Sequence, residues 1–136
     1  MAAKPGPAAR GSARGAAAAA AAQAHEASID RAFAALADPT RRAIVRALVE
    51  RPHRAGELAG PLQASAPALS RHLRVLREAG LVRDLAIDDD ARVRLYELAP
   101  AALDPLRGWL DEVEAMWGEQ LRAFKAYAEG RVRERR

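Results

Sequence analysis

The segment from Ser65 to Val82 carries the start and stop signals of one amphipathic helix. Ser65 can cap the free N–H groups of the first turn, and Pro67 is tolerated inside that turn. Gly80 can adopt the left-handed conformation that ends a helix. The inward positions at helical spacing are Leu69, Leu73 and Leu76. The outward positions are Ser70, Arg71, Arg74 and Arg77. An apolar face opposite an arginine face suits a helix that packs on a core and lies in a DNA major groove.

The positive charge of the chain is concentrated around this segment. The 136 residues carry a formal net charge of +4, but residues 39–83 alone hold nine arginines against three glutamates. Residues 100–129 are acidic, with six carboxylates against three basic side chains. A basic centre on an acidic scaffold favours a polyanionic partner such as double-stranded DNA.

Composition argues against several classes of protein. Cysteine is absent, which excludes disulfides and thiolate metal sites. The three histidines are scattered, and neither a Gly-rich phosphate loop nor a paired-carboxylate site is evident. We therefore expect no enzymatic activity, no cofactor and no metal. No apolar run is long enough to span a bilayer, so we expect a protein of the bacterial cytoplasm without a membrane partner.

The other segments predict a mostly α-helical (α+β) chain. Residues 1–27 form a basic tail rich in Ala, Gly and Pro that is predicted to be disordered, although its alanine run can extend the first helix. Ordered structure is expected from residue 28, and Asp38 and Pro39 suit the start of a second helix that ends before Pro52. A third helix over about 55–62 is joined to the Ser65 helix by a short turn. This pair is a predicted helix-turn-helix.

A β-hairpin is predicted after Gly80. Residues 81–87 and 92–98 are rich in strand formers and flank an acidic turn at residues 88–91. Arg92 and Arg94 alternate with inward-facing residues and are expected to point outward. The acidic turn lacks the ligand spacing of a calcium loop, so we interpret it as a plain turn. The hairpin would form a two-stranded wing beside the helix-turn-helix.

Pro100 is predicted to open a long C-terminal dimerisation helix with two apolar stripes. A small domain can cover only one stripe, so we expect the other to pack on the same helix of a second copy. The alternative is that both stripes dock on one core. The predicted dimer-interface residues are Leu106, Trp109, Leu110, Val113, Met116, Trp117, Leu121 and Phe124. The predicted domain spans residues 28–128 and is followed by a basic tail at 129–136.

The chain resembles the ArsR/SmtB family of winged-helix repressors in three segments: ALADPTRRAIV at 35–45, ELA at 57–59 and PALSRHLRVLREAGLV at 67–82. The tryptophans and phenylalanine of residues 109–125 are similar to a metal-free branch of that family. The resemblance runs from about Ile29 to Tyr127. It implies a homodimeric repressor that leaves its operator on a signal from an unidentified small-molecule or protein effector.

The sequence departs from the metal sensors of that family. Those sensors carry cysteines just after the position of Glu57-Leu58, where this chain has Ala59 and Gly60. Other members hold metal ligands on the last helix, and this last helix contains no histidine. The usual metal sites are therefore not expected. The family often has Gln where Ala66 stands, which removes one adenine contact.

The candidate DNA-binding residues lie mainly on the Ser65 helix. Arg71 can bind guanine through two hydrogen bonds or can bind phosphate, and both interpretations stay open. His72, on the flank, is interpreted as a phosphate contact or a partly buried packing group. The full set is Thr40, Arg41, Ser65, Ala66, Pro67, Ser70, Arg71, His72, Arg74, Arg77, Arg92 and Arg94. The alternative function is a winged-helix protein–protein interaction module without specific DNA binding.

Overall fold

The computed structural model describes residues 7–87 and 93–134. Its elements, in chain order, are α1 (Pro7–Leu36), α2 (Pro39–Glu50), β1 (His53–Arg54), α3 (Ala55–Ala59), α4 (Ala66–Glu78), β2 (Val82–Ala86), β3 (Arg94–Leu98) and α5 (Asp104–Glu134). The chain divides into two compact units, one through Leu103 and one from Asp104 onward. The first unit holds the predicted helix-turn-helix and hairpin, and the second is α5.

Local capping sets the bounds of α2 and α4. Asp38 accepts a hydrogen bond from the Arg41 backbone N–H at 3.0 Å, and Pro39 occupies the first turn of α2. Ser65 accepts one from the Ala68 N–H at 3.3 Å at the start of α4. Gly80 ends the α4 turn with a φ of 76°, as its lack of a side chain allows. These predicted signals are confirmed.

The core of the first unit lies between the helices α1 to α4 and the sheet. Its largest fully buried side chains are Ile44, Leu58, Leu69, Leu76, Leu81 and Val82. The three predicted leucines of α4 are all buried, since the helical period places them on one face. The opposite face of α4 is thereby left toward solvent.

The sheet has three strands, one more than the sequence predicted. β3 is central, with β2 on one side and β1 on the other, and both pairs are antiparallel. β2 and β3 pair from Val82 opposite Leu98 to Ala86 opposite Arg94. β1 is only two residues long, with His53 opposite Tyr96, so no alternating pattern in the sequence could reveal it.

The helices differ from the prediction at several ends. α1 begins at Pro7 and so takes in residues 7–27 of the predicted tail, because a long alanine run has a high helix propensity that outweighs Gly11 and Gly15. α3 ends at Ala59 rather than near residue 62, since Pro61 offers no N–H to continue the helix. α5 begins at Asp104 rather than Pro100, and Ala101 before it has a positive φ of 56°.

The C-terminal helix also extends beyond its predicted end at residue 128. α5 continues to Glu134, with Arg131 and Arg133 in its last turn, where cations complement the helix dipole. Arg131 donates a hydrogen bond to the Tyr127 hydroxyl at 2.9 Å and lies over its ring. Most of the predicted separate tail is therefore helical.

Candidate nucleic-acid interface

The exposed face of α4 presents two arginines that have no partner among the described residues. Ser70, Arg71 and Arg74 are exposed. Neither Arg71 nor Arg74 makes a hydrogen bond or ion pair with any residue that the structure describes. Both guanidinium groups keep all their donors, so they are free to contact a base edge or a phosphate. Ala66 and Pro67, at the start of α4, are exposed as well.

Arg77 and Arg94 are held together by an acid that the sequence analysis missed. The Asp84 side chain on β2 is 13% exposed, and its Oδ1 accepts from Arg77 at 3.3 Å. Its Oδ2 accepts from Arg94 on β3. Arg94 above all, and then Arg77, lower the pKa of Asp84 through these hydrogen bonds. The sequence pattern that could have indicated Asp84 is an acid among the basic residues of a hairpin that follows a basic helix.

A cleft separates α4 from β3. Its volume is about 230 Å³, and it is lined by Ser70, Leu73, Arg74, Arg77, Arg94 and Tyr96. We call it the wing cleft. Three of these six residues are arginines, so the cleft is a concave basic surface between the helix and the hairpin.

Arg41 joins three helices instead of pointing outward. Its Nε donates to the Ala35 carbonyl at 2.5 Å and a terminal nitrogen donates to Ala34 at 3.3 Å, at the C-terminal end of α1. Its other terminal nitrogen lies 3.4 Å from His72 Nδ1 on α4. Cations are favourable at a helix C-terminus, where carbonyls lack partners. Arg41 therefore links α1, α2 and α4 and has fewer donors left for phosphate than predicted.

The neighbours of Arg41 are also partly enclosed. The His72 side chain is 23% exposed, with Nδ1 4.0 Å from Asp38 Oδ1, which fits the partly buried interpretation. Thr40 is half-buried. The pKa of Asp38 is lowered, first of all by the hydrogen bond from the Arg41 backbone N–H. Arg92 and the acidic turn at 88–91 lie outside the described residues.

The apolar side chains of α5 are mostly uncovered within the chain. Leu106 is buried. The other predicted interface residues are exposed: Trp109, Leu110, Val113, Met116, Trp117, Leu121 and Phe124. Exposed residues therefore occur on both predicted stripes of α5. Large apolar patches on a protein surface often mark interaction sites.

Over residues 7–87 and 93–134, no group of three or more histidine or carboxylate side chains could hold a metal ion. None of the helices in those residues is long and apolar enough to cross a membrane.

The chain is similar in sequence and fold to bacterial transcriptional regulators. Residues 38–84 match the family model described as bacterial regulatory protein, arsR family. The chain is 46% identical over 102 residues to the HTH-type transcriptional regulator Rv2034 of Mycobacterium tuberculosis. The matched region covers 75% of this chain and 87% of the relative. The solved structure of an ArsR-like transcriptional regulator from Rhodococcus sp. RHA1 is 32% identical, with a TM-score of 0.65, over 76% of this chain and 94% of that one.

A more distant structure shares the fold. It is the homodimeric winged helix-turn-helix DNA-binding domain of Mb0332 from Mycobacterium bovis, 20% identical to this chain. The match covers 72% of this chain and 88% of that domain, with a TM-score of 0.55.

Proposed function

The chain belongs to the ArsR family of bacterial transcriptional regulators, and on that basis we propose that it is a homodimeric repressor that binds an operator duplex through α4. The observation that carries the proposal is a pair of exposed arginines on α4, Arg71 and Arg74, which bind no other side chain within residues 7–87 and 93–134. We call α4 the reading helix. As a regulator of transcription, the protein would act in the bacterial cytoplasm, where its operator lies.

The dimer follows from α5 and from the geometry of DNA. The exposed apolar residues of α5 would be buried against the α5 of a second copy. A two-fold axis between them would present two reading helices to successive major grooves, roughly 34 Å apart. The Mycobacterium bovis domain with the same fold is described as homodimeric.

Release from DNA would not use the usual metal sites of the family. The sequence has no cysteine, and α5 has no histidine. Ala59 and Gly60 after Glu57-Leu58, together with a last helix that has no histidine, favour a small-molecule or protein effector over a metal ion.

The proposal is tested by replacing the free arginines. The full-length protein is first footprinted on its own upstream DNA, and the protected duplex is used in titrations at several salt concentrations. Arg74→Ala should weaken binding to all duplexes and flatten the plot of log K against log[salt] by about 1 per protomer. Arg71→Ala should cost ~1–3 kcal/mol per half-site if the side chain binds guanine, with a loss of preference at one base pair. A uniform loss would assign Arg71 to phosphate.

The control is Arg122→Ala, which removes one charge from the polar face of α5. It should leave the affinity nearly unchanged. If the Arg71→Ala/Arg74→Ala double variant binds the duplex as tightly as the wild type does, the reading helix is misassigned. A wild type that protects no DNA in the footprint would instead favour the alternative, a winged-helix protein–protein interaction module.

A further inference from the structure

We propose that Asp84 is a positioning residue for DNA binding, which fixes the wing against the reading helix and aims Arg77 and Arg94 into the wing cleft. The inference rests on the proposed function. Asp84 would thus help a polyanion to bind by positioning two arginines, although it is itself acidic. It would also contribute to discrimination between DNA sequences.

The geometry places one carboxylate between three elements. Each Asp84 oxygen accepts from a different arginine, Arg77 in the last turn of α4 and Arg94 at the start of β3. Asp84 lies opposite Tyr96 across the β2–β3 pair, and Arg94 is two residues before Tyr96. Side chains with this diagonal relation share one face of the hairpin. The face that carries the ion pairs is therefore the face that meets α4 in the wing cleft.

The remaining donors of the two arginines explain why the carboxylate need not block DNA. A guanidinium group has five N–H donors in a rigid plane, and each arginine uses one terminal nitrogen on Asp84. The other donors stay available to a phosphate oxygen. A carboxylate that holds one terminal nitrogen of each guanidinium reduces the rotamer freedom that DNA would otherwise have to restrict on binding.

Charge repulsion between Arg77 and Arg94 also requires an acid to hold the wing against the reading helix. Without an acid between them, Arg77 and Arg94 would be like charges on facing elements, and the wing would tend to move away from the helix. Arg74 has no acidic partner among the described residues and would keep the cleft basic. Asp84 thus balances the two arginines that belong to different elements and leaves the third free.

A matched control exists on the same hairpin. Glu97 on β3 pairs with Arg83 directly opposite on β2, with an Nε–Oε1 distance of 2.5 Å. Residues 83 and 97 each adjoin the Asp84–Tyr96 pair in the register, so their side chains lie on the other face of the hairpin. Glu97→Gln removes the same charge as Asp84→Asn, but away from the reading helix.

The experiment compares specific with non-specific binding for the full-length protein. The probes are a duplex of about 30 base pairs, recovered by in vitro selection with the wild type, and a scrambled duplex of the same composition. Loss of one negative charge should tighten binding to the scrambled duplex in both variants. Asp84→Asn should lower the ratio of specific to non-specific affinity by about tenfold, as expected for the loss of one charged hydrogen bond. Glu97→Gln should leave that ratio unchanged.

A second arm tests whether Asp84 acts through its arginines. In an Arg77→Gln/Arg94→Gln background, Asp84→Asn should cause no further loss in the ratio. These two arginine side chains are 46% and 52% exposed, so the background should fold even if Asp84→Asn alone does not. That background should itself show the reduced ratio.

Three results would overturn the inference. The first is an Asp84→Asn ratio equal to that of Glu97→Gln. The second is a further loss when Asp84→Asn is added to the double-arginine background. The third is a double-arginine variant that keeps the full ratio. A wild type that binds both duplexes equally would instead refute the proposed function.

Discussion

Trp117 on α5 offers the most direct test of the proposed dimer. Its side chain is 62% exposed within the chain, between Val113 and Leu121 on the same stripe. We expect Trp117→Glu to convert the dimer into monomers, because it removes an aromatic contact and puts a carboxylate into an apolar interface.

The expected magnitude follows from the exposed area. A tryptophan that buries ~200 Å² when fully covered has about 120 Å² left to bury at this exposure. At about 25 cal/mol per Å², this contributes ~3 kcal/mol per protomer and ~6 kcal/mol per dimer, because the two-fold axis repeats the contact. The dimer dissociation constant should therefore rise by a factor of about 10⁴ before the cost of the buried charge is added.

Sedimentation equilibrium over a concentration series measures that constant, and circular dichroism confirms that the variant is folded. Val49→Glu is the matched control, since Val49 on α2 is 64% exposed and belongs to no predicted interface. The control should remain dimeric and bind DNA. A Trp117→Glu protein that stays dimeric at micromolar concentration would show that α5 is not the interface.

Two further predictions concern stability. Leu76→Ala should destabilise the first unit by about 3–4 kcal/mol in urea unfolding, because Leu76 is fully buried and its truncation leaves a cavity. The control Val75→Ala changes a 37% exposed position and should reduce the free energy of unfolding far less. Equal losses in the two variants would refute the assigned core face. The Asp84 ion pairs should stabilise the fold near neutral pH. Because the folded-state pKa of Asp84 lies below that of the unfolded chain, this contribution is lost as pH falls below about 4. The difference in free energy of unfolding between wild type and Asp84→Asn should therefore shrink below that pH. A difference that stays constant with pH would argue against the ion pairs.

Local signals account for the parts of the fold that the sequence predicted correctly. Asp38 and Ser65 cap helices through backbone groups three residues away, and Gly80 ends α4 by its own conformational freedom. The 3.6-residue period places Leu69, Leu73 and Leu76 on one face. Each of these depends on residues within one or two turns, so spacing alone reveals it.

The sequence alone also determined which arginines of α4 face solvent, but it could not determine which of them are free. Asp84 meets Arg77 and Arg94 only after β2 and β3 pair and α4 packs on them. Arg41 meets the carbonyls of Ala34 and Ala35 only because α1 ends beside α2. Side-chain contacts of this kind depend on the relative placement of elements, which helical and strand periods do not encode. Tertiary structure therefore decided that Asp84 holds Arg77 and Arg94 whereas Arg71 and Arg74 have no partner among the described residues, while α4 as the basic helix was determined by sequence.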